Sequence, residues 1–337
     1  MHVRNETLFA LLIAQAISLS PGVAENNAAK VREEITGTGP AVLWRDPIDI
    51  ASRDLYYGSG GKDHAPAGTF QFVKEDLDGT SPKFQVVDEH GVKWKVKLGP
   101  EARSETVASR ITWAVGYFTN EDYFVQRLDV RGMPVRLQRG QKLLGPDDTV
   151  RNVRLKRQEK GEKKLGNWEW RHDGFEGTRE WNGLKVVMAL INNWDLKDEN
   201  NAIYQNGRER VFMVSDLGAS FGSAGRSWPK ERAKDNFNSY RRSRFIRRIT
   251  ADSVDFEVPA RPSWVLMVNP KEYLNRVHLE WIGRNVPRSD VHWMGQLLAR
   301  LSPQQIRDAF RASGYSPQEV ESFAGILEER ISQLKRL

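Results

Sequence analysis

The stretch NWDLKDENNAIYQNGRERVFMVSDLG, residues 193–218, opens with Asp195 and Asn200 five residues apart and closes on Asp216, followed by Leu217 and Gly218. Between them, NAIYQNG and RVFMVSD read as two short strands joined at Asn206–Gly207, a strong hairpin signal. A hairpin brings its two ends together, so the Asp195 loop and Asp216 are expected to face one cleft. Read alone, each piece is a polar turn beside a strand. Together they hold what phosphoryl transfer needs: a carboxylate to position a hydroxyl, and an amide oxygen and a carboxylate for a hard cation.

Upstream the chain alternates. TFQFVKED (69–76), KFQVVDE (83–89) and VKWKVKLG (92–99) are strand-like runs joined by short turns, which predicts an antiparallel meander. In the third run Val92, Trp94, Val96 and Leu98 share one face, and Lys93, Lys95 and Lys97 the other. PEARSETVASRITWAVGYF then has helical spacing, with Val107, Ile111, Ala114 and Val115 on one side and Pro100 suited to a first turn. Residues 25–68 are rich in turn formers and read as irregular. Their glycines do not form a phosphate loop, because Tyr56 and Asp63 stand where that pattern requires Gly and Ser or Thr.

Beyond the helix, YFVQRLDVRG and MPVRLQRG are strand-like, and RLKRQEKGEKKLG (154–166) is expected to be an exposed loop or the joint between two lobes. EWNGLKVVMALINNW predicts a helix with Leu184, Val187, Met188 and Ile191 toward the core. The tryptophans of NWEWRHDGFEGTREWNG (167–183) read as core, with stacking on a sugar or base as the alternative. The tail is helical: SPQQ and SPQE each supply Ser, Pro and a capping Gln or Glu. YRRSRFIRR (240–248) is the one dense basic run and reads as a solvated face.

With the pieces in this order, the chain resembles the protein-kinase-like fold. Asp195-Leu196-Lys197 with Asn200 resembles the kinase catalytic loop, with Asn193 and Trp194 in place of His and Arg, and Asp216-Leu217-Gly218 resembles the metal-binding D-F-G. GTSPKF and WKVKLG are similar to the phosphate-covering turn and strand lysine of HipA-like and phosphoinositide-kinase-like kinases. The resemblance covers residues 69–222. It implies an α+β, two-lobed fold: an antiparallel-sheet N-lobe with one helix and its connection (69–166), then a mainly helical C-lobe (167–337). It implies ATP and Mg (or Mn) as cofactors, with Asp195 as catalytic base or hydroxyl-positioning carboxylate, Lys197 neutralising charge, and Asn200 and Asp216 as metal ligands. Gly79, Thr80, Ser81 and Lys83 would cover the phosphates. Lys97 would contact them, with Glu105 as its ion-pair partner; Lys95 and Glu101 are the alternatives, Glu101 being expected to serve the helix dipole instead.

Composition bounds the rest. Apolar residues make up 39% and charged residues 28% of the 337, as in a globular protein, and the net charge of +7 favours anionic partners. The absence of cysteine excludes disulfides and thiolate metal sites. The six histidines form no H-E-x-x-H, and there is no G-x-S-x-G. Residues 1–24 read as a cleavable secretory signal, with Arg4, an apolar run from Leu8 and small residues up to Ala24, which implies a periplasmic or secreted bacterial protein without a membrane span after cleavage. The expected partners are a nucleotide and a protein or small-molecule acceptor, with nucleic acid not expected. Export away from cytoplasmic ATP keeps three other readings open: nucleotidyl transfer, a catalytically silent kinase-fold binding protein in the periplasm, and a basic polyanion-binding protein.

Overall fold

The computed structural model describes residues 37, 39–79, 81–145, 149–158, 161–171, 174–223, 234–258 and 265–337. The expected signal (1–24) and Thr80 lie outside the described residues. The fold is α+β, as expected, and has two cores.

The smaller core sits on a six-stranded sheet. Its strands are β2 (Phe70–Asp76), β3 (Lys83–Asp88), β4 (Lys93–Lys97), β6 (Asp122–Leu128), β7 (Val130–Arg131) and β8 (Val150–Gln158), in the order β6-β8-β4-β3-β2-β7. Every pairing is antiparallel except β2 with β7. Phe84, Val86, Trp94, Val96, Val153 and Leu155 are buried on one face, the alternation read from the sequence.

Two expectations fail here. MPVRLQRG is not a strand: Leu137 is buried in the core that rests on the sheet, and the amides of Gln138 and Arg139 donate to the Glu75 carboxylate rather than to a neighbouring strand. RLKRQEKGEKKLG is not an exposed loop, the first of its two readings: its first part lies within β8, between β6 and β4, and its last part forms β9 (Lys163–Gly166) of the other sheet. The charged composition hid a strand whose arginine, Arg154, is buried against carboxylates.

Helix α1 (Glu101–Ala114) is buried over most of its length and joins the two cores. Val107, Ala108, Ile111 and Ala114 face the larger core. Its polar positions meet the sheet: Glu105 contacts β4 and β8, and Ser109 donates to Asp122 of β6 at 2.8 Å. The short strand β5 (Phe118–Thr119) leaves α1 and lies parallel to β11 (Glu209–Val214), as does β1 (Ala41–Val42). β11 pairs antiparallel with β10 (Ala202–Asn206), and β10 with β9. Asn206 lies opposite Glu209, so the hairpin turn is Gly207–Arg208, with Gly207 at positive φ.

The larger core surrounds α2 (Arg179–Leu190), and Trp168, Trp170 and Trp181 are buried in it, Trp168 meeting the other two edge to face. Around it stand α3 (Phe237–Arg242), strands β12 (Ile246–Ile249), β13 (Ser253–Phe256) and β14 (Val286–Pro287), and helices α4 (Val265–Val268), α5 (Pro270–Leu279), α6 (Arg288–Leu298), α7 (Pro303–Arg311) and α8 (Pro317–Lys335). Both expected capping boxes are present, Ser302 with Gln305 and Ser316 with Glu319. No helix among the described residues is long and apolar enough to cross a membrane.

Candidate active site

Lys97 is the last residue of β4 and lies on the face opposite Trp94 and Val96. Its ammonium lies 2.8 Å from Glu105, 2.8 Å from Glu101 and 2.7 Å from Asp216. Burial alone would depress the ammonium, but Glu105, Asp216 and Glu101 outweigh it and hold its pKa above the ordinary lysine value. Lys95, two residues earlier, instead reaches Asp76 at 2.8 Å. Of the two strand lysines, Lys97 is the one joined to Asp216.

Both candidate glutamates contact Lys97. Glu105, 1% exposed, also accepts from Arg154 at 2.7 Å, and Arg154 lies 3.3 Å from Asp122. Glu101 does more than serve the helix dipole: it also pairs with Lys234 and accepts from the Ser81 hydroxyl at 3.1 Å. Burial would raise its carboxyl, but Lys97 and Lys234 pull it well below the usual carboxylate range. The physical reason is proximity: one turn before Glu105, it projects toward the same ammonium. The bond from Ser81 ties the expected phosphate-covering turn to α1. In that turn Gly79 has positive φ and its carbonyl accepts from Arg139 at 2.6 Å, while Lys83 lies opposite Lys97 across the β3–β4 ladder.

Asp216 has left-handed backbone, φ 52° and ψ 49°, a conformation costly for a residue with a Cβ and tolerated best by Asn and Asp. It turns the chain out of β11 and aims the carboxylate at Lys97. Gly218 is required by close approach: a Cβ there would lie 2.7 Å from that of Glu101, and its carbonyl accepts from Ser104 of α1 at 2.7 Å. The side chain of Asp216 is 47% exposed, whereas those of Glu101, Glu105 and Asp122 are nearly covered.

Asp195, Lys197 and Asn200 form a second cluster. Lys197 lies 3.2 Å from Asp195, and the Asn200 amide donates to the Asp195 carbonyl at 2.7 Å, leaving its Oδ1 as the oxygen it can offer a cation. Ala202 lies opposite Met213, so Asn200 and Asp216 stand at the same end of the β10–β11 hairpin. Two asparagines, Asn192 and Asn193, brace this loop. Asn193 accepts from the Asp195 amide at 3.1 Å. Asn192, at positive φ, donates to the Gly222 carbonyl and accepts from Trp194 at 2.9 Å. The amide of Phe221 donates to Ile191 O at 2.8 Å, which pins the segment after Asp216 to the base of the Asp195 loop.

No family model and no curated protein matches the chain. Solved kinase structures do. The chain is similar to the crystal structure of the Helicobacter pylori proinflammatory kinase CtkA, at 12% identity over 80% of this chain and 98% of that one, with a TM-score of 0.42. It is also similar to the Golgi casein kinase, at 9% identity over 100% of this chain and 90% of that one, TM-score 0.41. The same kinase with Mn and ADP bound matches at 8% identity, with equal coverage and TM-score. At such identities and scores the likeness is one of general arrangement.

Beyond the Asp216 turn, the amide of Asp235 donates to Ser220 O at 3.1 Å. The Asp235 carboxylate accepts from the Tyr315 hydroxyl and lies 3.5 Å from Arg103 of α1. Burial pushes its carboxyl up to about 6, against the opposite pull of Arg103 and Tyr315. The unfolded carboxyl titrates near 4, so between about pH 4 and 6 the native state holds more protons and stability falls as pH rises. Melting curves across that window should show the fall in the native protein and its loss in Asp235→Asn. A parallel pH dependence of the two would contradict it.

Proposed function

We propose that the chain is an exported, ATP- and magnesium-dependent phosphotransferase acting on a hydroxyl of a protein or small-molecule acceptor. The observation that carries this is the contact of Lys97 with both Glu105 and Asp216, which joins β4, α1 and the turn after β11 at one point. The donor set supports the fit of a hard cation. Glu101, Glu105 and Asp216 converge on Lys97, and the most exposed of the three is Asp216, whose carboxylate can turn to an incoming cation. Asp216 and Asn200 would hold the ion through oxygens. Bound there, magnesium supplies charge neutralisation at the transferring phosphoryl group.

In this reading Lys97 orients the donor phosphates, and the Gly79–Lys83 turn, tied to α1 through Ser81, covers them. The acceptor oxygen forms a bond to the terminal phosphorus as the bond to the ADP oxygen breaks, and the hydroxyl proton passes to Asp195. Lys197, beside Asp195, balances charge on the group in transit. The narrower likeness to HipA-like and phosphoinositide-kinase-like enzymes rests on the motifs at 79–84, 94–99, 195–200 and 216–218. Export rests on residues 1–24.

Thermal melting with and without ATP and magnesium tests the proposal. A ligand that binds only the native state, present at about 100 times its dissociation constant, adds roughly 2.7 kcal/mol. The rise should require magnesium and be lost in Asp216→Asn. No rise at millimolar ATP would overturn the ATP reading and favour a silent kinase fold or another donor.

A further inference from the structure

We propose that an arginine-lined groove between β12 and the end of α8 docks an acidic or phosphorylated segment of a protein acceptor; this gives a purpose to the phosphotransferase reading and rests on it only for that purpose. The groove encloses about 430 Å³, and its walls carry Arg244, Arg247, Arg248 and Arg336, with Ile246 and Ile249 beside them. It takes three of the five arginines of the basic run that reads in sequence as a solvated face. That run is not simply a face, because Tyr240 and Phe245 within it are buried and fix the backbone between them.

The charges are unbalanced, and Arg244, Arg248 and Arg336 are held in place. Arg248 pairs with Asp255 at 3.1 Å. Among the described residues no carboxylate pairs with Arg244, Arg247 or Arg336. Arg244 is folded onto the carbonyls of Ile246 at 3.0 Å and Arg247 at 2.7 Å, and Arg336 donates to the Ser332 hydroxyl at 2.7 Å. Guanidinium forks match carboxylate and phosphate oxygens in pairs, so carboxylates and phosphates share the recognising chemistry.

The lining favours a peptide over nucleic acid. Single-stranded nucleic acid is usually gripped by aromatic rings on which bases stack, and this lining has none. It offers two isoleucines instead, with Ile249 half exposed, suited to an apolar side chain between acidic ones. The groove also shares its anchorage with the candidate active site. Ser243, the residue before Arg244, accepts from Arg330 and from Asn192, and Asn192 braces the loop that carries Asp195.

Fluorescence anisotropy on the full protein tests this with three probes of equal net charge: a short glutamate-rich peptide, a short phosphoserine peptide and a single-stranded oligodeoxynucleotide. The triple variant Arg244→Glu, Arg247→Glu, Arg336→Glu should bind the peptides at least about tenfold more weakly, while Arg241→Glu, outside the groove, changes binding by no more than about twofold. Both variants should melt as the native protein does. Tight binding of the phosphoserine peptide alone would assign phosphate as the group recognised, and binding of both peptides would assign carboxylate as sufficient. Equal peptide binding by native protein and triple variant overturns the proposal. So does an oligonucleotide that binds through these arginines as tightly as the peptides. If the peptides bind through the groove but ATP gives no stabilisation, the phosphotransferase reading fails and the docking surface stands; if ATP stabilises both proteins and the peptides ignore the groove, the reverse holds.

Discussion

Replacing Glu105 by glutamine is expected to destabilise the protein by about 3–5 kcal/mol, the cost of removing one member of a buried ion network and leaving the others uncompensated. Glu105 is the point where two cations meet, Lys97 from β4 and Arg154 from β8. Glutamine keeps the volume and can still accept a hydrogen bond, so packing loss does not enter. What it removes is the charge that lets two buried cations from adjacent strands stand side by side. Arg154 would keep Asp122, and Lys97 would keep Glu101 and Asp216. The two cations then repel each other within the sheet, and α1 loses the charge that draws it to both strands, so its hold on β4 and β8 should weaken. Urea denaturation measures the loss as a fall in midpoint at unchanged slope. Adding Lys97→Met to Glu105→Gln should cost less than the two single changes summed, because the second change removes a charge the first left unpaired. A single-variant loss below about 1 kcal/mol would mean that the network is solvated and does not hold the lobes together.

Much of this arrangement was legible in the residues. The meander, α1, α2 and the hairpin announce themselves through period-2 and period-3.6 spacing, and α7 and α8 through their capping boxes, because those signals are local. The position of Lys97 could be read as well: it follows from strand alternation, which sets it opposite Trp94 and Val96. Arg154 could not. Its strand reads as a charged loop, and only the carboxylates of Glu105 and Asp122, far apart in sequence, make a buried arginine affordable there. The covering loop at 133–140 was hidden for a similar reason, since its amides are satisfied by the Glu75 side chain and not by a neighbouring strand. Glu101 looked like a dipole residue because a first-turn acid needs no further explanation; its reach to Lys97 and Lys234 appears only once β4 and the segment at 234 are in place. Asn192 and Asn193 brace the Asp195 loop through bonds to backbone and indole that no spacing rule reports.

Arg330 is the longest-range of these hidden residues, and Arg330→Met should cost about 3 kcal/mol or more, since it strips several charge-assisted bonds from buried carbonyls. Arg330 is buried on α8, and among the described residues no carboxylate pairs with it; it works through carbonyls instead. One arm donates to Leu190 O at 3.1 Å and to Ala189 O at 3.4 Å, at the C-terminal end of α2, where the helix dipole favours a cation. The other donates to Tyr240 O at 3.1 Å and to Ser243 O and Oγ at 3.3 and 2.8 Å. Its guanidinium also lies 4.1 Å from the centre of the Tyr240 ring. Methionine fills similar volume but satisfies none of these acceptors. Lysine carries the charge on a single point and cannot span both sets, so Arg330→Lys should recover only a small part of the loss. The two sets belong to the segment before the Asp195 loop and the segment before the arginine groove. Beyond lost stability, hydrogen exchange should therefore rise at the amides of Asn192–Asp195 and Ser243–Phe245 together, ahead of those in α6 and α7. Faster exchange at only one of the two segments would show that Arg330 supports them separately and does not join them.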